Sequence, residues 1–317
     1  MELVSVDDIR AAADTIAGVA VRTPLLPQTW GAPDRPLWLK PESLQPIGAF
    51  KIRGAYHAIA SLPDDVRRAG VVTHSSGNHG QAVAYAAAAF GVPAVVVIPD
   101  VAPPTKIEAV RALGAEVVLV PGAERLDETD RIATERGMAV VPPFDHRDVI
   151  AGQGTVGLEI LADDPAVDVV LVQVGGGGLA SGVSTAIKAL RPATKVYGVE
   201  PAVAPDARDS LAVGRLVPYP DEQRYSTVAD GMRTALSELT LAHLSAHLDG
   251  IITVAEDEIR AAVGVLARQA RLVAEPSGAT TTAAYLYHAD ELPSGRTVAV
   301  VSGGNLPPAL LAELTVA

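Results

Sequence analysis

Lys51 sits in SLQPIGAFKIRGA, where Pro46 and Gly48 break the chain just before an amine with apolar flanks. Partial burial there would disfavour the ammonium and lower its pKa, and a free amine is the form that condenses with an aldehyde. On position alone the same lysine also fits a surface helix start, paired with an acid. Glycine-containing stretches at 75–81 (SSGNHGQ), 175–182 (GGGGLASG) and 302–305 (SGGN) each follow an apolar run of strand character. Ligands of open α/β sheets collect beyond the carboxyl ends of the strands, so these turns can converge on one site.

Gly175, Gly176, Gly177 and Gly178 follow VVLVQV and open a helix near Leu179. Amides without side chains and a helix dipole then face one spot, which favours an anion. A tight strand-to-helix turn explains a lone glycine pair equally well; four in a row go further. No GK[ST] follows and no GxGxxG precedes an acid, which argues against nucleotide triphosphate hydrolysis and NAD and leaves a small phosphate-bearing cofactor. In SSGNHG, Ser75, Ser76, Asn78 and His79 can cradle a carboxylate on backbone amides, or simply cap the Ala-rich helix that follows. Arg125 can approach a carboxylate and equally suits a solvent-exposed helix face. Glu200 and Asp206, with the Ala204 carbonyl between them, are oxygen ligands at loop spacing for magnesium or calcium, though two acids in an acidic chain are often just solvated. His57, His74, His146, His243, His247 and His288 form no HExxH pattern and read as structural.

Something must hold these turns in place. β-rich runs at Val71–His74, Ala94–Pro99, Glu116–Val120, Ala139–Val141, Val167–Val174, Lys195–Val199, Ile251–Val254 and Thr297–Val301 alternate with helical stretches. VVLVQV and TVAVV lack a polar face, as parallel strands covered on both sides do. The long gap between the Lys195 and Ile251 strands breaks the even spacing of a barrel, so an open doubly wound sheet is the expectation. Pro103 and Pro104 introduce KIEAVRAL, Gly114 ends it, and Gly91 closes the helix after Asn78. No repeat or Pro/Gly/Ser-rich linker divides the chain, so a second domain is expected as an insertion. The stretch Asp206–Val228 is the least readable.

The chain has 317 residues, 49% of them hydrophobic and 20% charged, enough for a large core and against disorder. Its net charge of −12 and lack of a Lys/Arg cluster exclude nucleic acid. With no cysteine, disulfides, zinc ribbons, iron–sulfur clusters and thiol nucleophiles are excluded together. The N-terminus carries acids where a signal peptide would be basic, and no apolar run approaches the ~20 residues that span a bilayer. A cytoplasmic protein with no membrane partner is expected.

In this order and at these separations, SLQPIGAFKIRGA, SSGNHGQA, VGGGGL, GVEP, ADG, EPSGA and SGGN resemble the serine/threonine dehydratases and serine racemases of the fold type II pyridoxal phosphate family. The resemblance spans nearly the whole chain. It implies a tryptophan synthase β-like α/β fold with two open doubly wound sheets. A small domain at 69–145 would be inserted into a large cofactor-binding domain made of 1–68 and 146–317.

By the same resemblance, Lys51 would hold pyridoxal 5'-phosphate as a Schiff base, with Phe50 beside the ring and Asn78 bonded to the phenolic oxygen. Gly175, Gly176, Gly177, Gly178 and Leu179 would form the phosphate cup, and Ser302 would face the pyridine nitrogen. A serine there need not keep the ring protonated, which suits elimination. Ser75, Ser76, Asn78 and His79 would bind the amino-acid substrate, with Ser76 placed as the acid/base opposite the lysine in racemizing relatives. Glu200, Ala204 and Asp206 resemble a structural Mg2+ or Ca2+ site. The implied reaction removes water from L-threonine or L-serine, giving a 2-oxo acid and ammonia; serine racemisation and dehydration of threo-3-hydroxyaspartate are the alternatives. A homodimer is implied as well. Ala49 departs from the serine of many relatives. With no regulatory domain after Ala317, a catabolic or pathway-specific enzyme is expected.

Overall fold

The computed structural model describes residues 2–316. Ten strands form two sheets: β1 (Leu26–Ala32), β2 (Arg35–Pro41), β3 (Val71–His74), β4 (Ala94–Pro99), β5 (Glu116–Val120), β6 (Ala139–Val140), β7 (Val169–Gln173), β8 (Lys195–Pro201), β9 (Gly250–Val254) and β10 (Thr297–Val301). The larger, six-stranded sheet runs β1-β2-β10-β7-β8-β9 and the four-stranded sheet runs β5-β4-β3-β6. All pairings are parallel except β1 with β2.

β1 and β2 are absent from the sequence-based strands, and their composition explains it. Pro27 and Gly31 lie in β1, which is tolerable at the sheet edge it occupies. β2 begins Arg35-Pro36 and carries Lys40, a charge that alternation assigns to solvent. Lys40 is instead fully buried, its ammonium bonded to the Thr23 carbonyl and to Glu159. The other eight strands fall where the apolar runs lie, within a residue or two at their ends.

Chain direction reverses once in each sheet. In the larger, successive strands step from β7 to β8 to β9, and the chain then returns to lay β10 on the other side of β7. In the smaller, they step from β3 to β4 to β5, then return to lay β6 beside β3. Loops leaving adjacent strands on opposite sides of such a switch point diverge and open a crevice at the carboxyl end. The loops after β3, β6, β7 and β10 are therefore the ones that border crevices.

Helices cover both faces. Val170, Val172, Val298 and Val300 pack on the helix Gly178–Leu190 through Val183 and Ile187, all fully buried. Leu171, Ala299 and Val301 face the opposite layer with Ile259 and Ala283. Each Val or Leu buried this way contributes about 1.5–3 kcal/mol. The smaller sheet's core joins Val71, Val96 and Ile98 to Ile52, Ala55 and Ile59 of the helix Lys51–Ala60, so the helix bearing Lys51 packs into the smaller sheet's core.

Candidate active site

Lys51 is the first residue of its helix, where the ammonium gains nothing from the helix dipole. Its Nζ donates to the Pro143 carbonyl at 2.6 Å and lies 5.0 Å from the Phe50 ring centroid. Burial alone pulls its pKa down to about 8. The backbone just before it is pinned: Phe50 N donates to the Ser302 carbonyl at 3.0 Å, and Ala49 bridges Gly303. Lys51 and the turn after β10 are thus one rigid unit.

The turn after β7 is shaped from behind. An added Cβ on Gly176 would stand 2.4 Å from the Phe144 ring, and one on Gly178 would stand 2.9 Å from Phe144 Cβ. Gly177 has φ +88°, and a Cβ there would meet Thr240 at 2.7 Å; at Gly175 it would meet Met232 at 3.0 Å. A Cβ at Gly176, Gly177 or Gly178 would force its neighbours to move, and one at Gly175 would be tightly packed. The helix Gly178–Leu190 starts here, so its unpaired N-terminal amides are concentrated beside the glycines, with buried Leu179 anchoring the first turn.

After β3, the helix Asn78–Phe90 opens the same way. Ser75 Oγ accepts from Gly77 N at 3.2 Å, and Ser76 is half-buried beside it. His79 is buried, its Nε2 donating to the Val141 carbonyl at 2.9 Å. Burial, with the Lys51 charge nearby, pulls its pKa down to about 3, so the ring is neutral and its buried Nδ1 is left without a partner. Asn78 bonds Glu275 and Asn305. Ser302 is buried at the end of β10. Arg125 lies at the start of its helix, 3.4 Å from the Tyr225 hydroxyl, and its charge helps depress the His74 pKa after burial.

Pro143, Phe144, Glu275 and Asn305 were given no role in the sequence reading. Glu275 and Asn305 lie inside EPSGA and SGGN and were visible as motif members. Pro143 and Phe144 follow the short strand β6 and carried no signal, because contacts of a loop with Lys51 and Gly176 are purely tertiary.

Glu200 lies near the end of β8, and Asp206 opens the helix Asp206–Val213. The Glu200 carboxylate accepts from Ala207 N at 3.1 Å and Arg208 N at 2.8 Å, capping the helix Asp206–Val213. Burial, with Asp206 adding repulsion, raises Glu200 to about 8, and burial raises Asp206 to about 6. Among the described residues, no group of three or more His, Cys, Asp and Glu gathers as a metal site.

A family model described as pyridoxal-phosphate dependent enzyme matches residues 16–303. The chain belongs to this family. L-threonine ammonia-lyase of Thermotoga maritima is 43% identical, over 96% of this chain and 76% of that one. L-threo-3-hydroxyaspartate ammonia-lyase of Saccharomyces cerevisiae is 38% identical, over 85% and 83%. The structure of maize serine racemase superposes with a TM-score of 0.94 at 36% identity, covering 98% of this chain and 97% of that one. The fold is accordingly that of fold type II pyridoxal phosphate enzymes.

Pyridoxal phosphate fits the residues present. A part-neutral amine and an amide-rich helix start whose glycines leave little room for a Cβ suit a phosphate-bearing aldehyde. Among the described residues, no helix is long and apolar enough to cross a membrane.

Proposed function

We propose that the chain removes water from a β-hydroxy-α-amino acid, L-threonine or L-serine, releasing ammonia and a 2-oxo acid. The observation that carries this reading is Lys51: a half-buried amine near neutrality, at a helix start, between the turns after β3, β6 and β10.

When bound, pyridoxal phosphate supplies an electron-withdrawing ring conjugated to the substrate nitrogen. Lys51 Nζ takes the Cα proton as a general base. The electron pair of that C–H bond forms the Cα–Cβ double bond as the C–O bond breaks, the proton collected on Lys51 leaves with the β-hydroxyl as water, and hydrolysis of the released enamine gives the 2-oxo acid and ammonia. The amides of Gly176, Gly177 and Gly178 would hold the phosphate, and the turn Ser75–Asn78 would take the substrate carboxylate at its own helix start. His79, neutral throughout, ties that turn to Val141. Ser302 would offer the pyridine nitrogen a neutral hydroxyl.

Serine racemisation is the second reading, supported by Ser76, half-buried on the same turn and available as a second acid/base. The functional reading also carries residues 69–145 as an inserted unit, a divalent cation on Glu200, Ala204 and Asp206, and a homodimer. The test is an absorbance spectrum of the purified chain with L-threonine and L-serine added in turn, and chiral analysis of recovered substrate. A violet-region band that shifts, with 2-oxo acid accumulating, supports elimination. Recovered D-serine without 2-oxo acid supports racemisation. Lys51→Ala is expected to abolish both band and turnover, and ammonia release by that variant would sink the assignment.

A further inference from the structure

Asn78 is held at both ends of its side-chain amide. Its Nδ2 donates to Glu275 Oε1 at 2.6 Å, and its Oδ1 accepts from Asn305 Nδ2 at 2.8 Å. Asn305 gives its other amide hydrogen to the Ile47 carbonyl at 2.7 Å, and its backbone N–H lies near enough to the Glu275 carboxyl to favour its charged form. The ring of three residues closes beside Gly303, where an added Cβ would lie 2.5 Å from Glu275 Oε1 and 3.1 Å from Asn78 Nδ2.

The two ends of an asparagine amide are nearly equal in size and opposite in hydrogen-bonding sense, so only neighbours decide which faces where. Glu275 presents an accepting oxygen and claims the NH2 end. Asn305, with its own NH2 committed toward Ile47, claims the oxygen. One N–H of Asn78 remains unspent. Beyond Asn78 and the Asn305 backbone, Glu275 has no hydrogen-bond partner for its carboxyl among the described residues. It stands at the N-cap of the helix Pro276–Tyr287, yet its side chain makes no capping bond. It is 5% exposed, and burial, with Asp230 adding repulsion, raises its pKa to about 8. A buried acid lowers stability unless its bonds are needed.

We propose that Glu275 is a positioning residue that, with Asn305, turns Asn78 so that it offers a hydrogen-bond donor to the cofactor's phenolic oxygen. This inference rests on the functional reading above. It holds for either charge state of Glu275, since Oε1 accepts in both.

Pyridoxal phosphate itself is the probe. Its dissociation constant and the absorbance of the bound form across pH are measured for the wild type, Glu275→Gln, Asn78→Ala and the double variant, with the melting temperature of each cofactor-free chain. Glutamine is the same size but can face Asn78 with either end, so the orientation is no longer dictated. Glu275→Gln is expected to weaken cofactor binding about tenfold, the worth of one well-formed hydrogen bond, and to displace the chromophore's pH titration. The cofactor-free melting temperature should move by no more than about 2–4 °C. In an Asn78→Ala background the same change should cost no further affinity, because the two residues act as one unit. Additive losses in the double variant, or a Gln variant with wild-type affinity and titration, overturn the role. If Glu275→Gln does not fold, Asn305→Ala replaces it: affinity lost with Asn78 present and not in the Asn78→Ala background supports the proposal, and equal loss in both overturns it. A wild type that takes up no pyridoxal phosphate overturns the functional reading and this inference together. A wild type that binds while the variants behave like it overturns this inference alone.

Discussion

Phe144 stacks so closely on Gly176 that a methyl group added to the glycine would stand 2.4 Å from the ring. Pro143, the residue before Phe144, accepts the Lys51 amine. One dipeptide therefore backs the glycine turn and fixes the Lys51 amine. Gly176→Ala must push the ring aside, and overpacking of this kind costs about 1–3 kcal/mol. The expected outcome is lower stability in urea together with weaker cofactor binding. Phe144→Ala in the same chain should recover part of the stability. A Gly176→Ala protein equal to wild type in both measurements would show that Phe144 does not constrain the cup.

The Lys51 pKa makes cofactor capture pH-dependent in a defined window. The free amine reacts, so uptake of pyridoxal phosphate by the cofactor-free chain should speed up as pH rises and level off above about 8, where an ordinary lysine would need 10.5. The same shift enters stability. Between those two values the unfolded chain holds a proton that the folded chain has lost, so this group's contribution rises with pH across the window. Stopped-flow uptake and urea midpoints from pH 7 to 11 check both, with Lys51→Met expected to remove this increment from the stability profile.

Arg53, two residues beyond Lys51, is fully buried. Its guanidinium donates to Glu42 at 2.7 and 2.9 Å and to Glu159 at 2.7 and 2.8 Å, while Lys40 reaches Glu159 from β2. Arg53→Met would leave Glu42 with far too little positive charge nearby. Breaking a buried pair costs about 3–5 kcal/mol, read as a drop in unfolding free energy. Glu42→Gln added to that variant should return part of it, since the stranded charge is then gone. No recovery would point to lost packing of the arginine stem.

Glu200 and Asp206 bind protons more tightly in the folded chain than ordinary carboxyls do, with values of about 8 and 6. Their stabilising protons are lost as pH climbs from the usual carboxylate range toward 8, so stability from this pair should fall across that interval. A cation competes with those protons, and its affinity should therefore increase with pH. Magnesium or calcium is expected to raise the melting temperature more at pH 8.5 than at pH 6, and not at all in Glu200→Gln/Asp206→Asn. A cation effect that survives the double substitution would place the ion elsewhere.

Much of the site was legible because its chemistry needs particular residue types in short stretches. Four glycines in a row, SSGNHG before an Ala-rich run and a lysine after a Pro/Gly break are local patterns, and the strands before them are unbroken apolar runs. The burial of Lys40 and Arg53 carried no sequence signal, since hydropathy sends charges to the surface and only the paired acids Glu42 and Glu159 make their burial tolerable. β1 and β2 went unread for a related reason: prolines, a glycine and a buried lysine are acceptable in strands only once position in the sheet is known.

By itself the sequence carried the alternating parallel architecture through local period, a phosphate-bearing cofactor through its glycines, and the family, with Lys51 as its candidate lysine, through the resemblance of its motifs. Tertiary structure alone decided what meets what. Strand order placed the turns after β3, β6, β7 and β10 at two switch points, and that order arises from crossovers between residues far apart in the chain. Burial then moved Lys51 toward neutrality, and contacts spanning 197 and 227 residues turned Asn78 to face its partners. A pKa and an amide's orientation depend on the atoms that surround a side chain, and those atoms are assembled only by the fold.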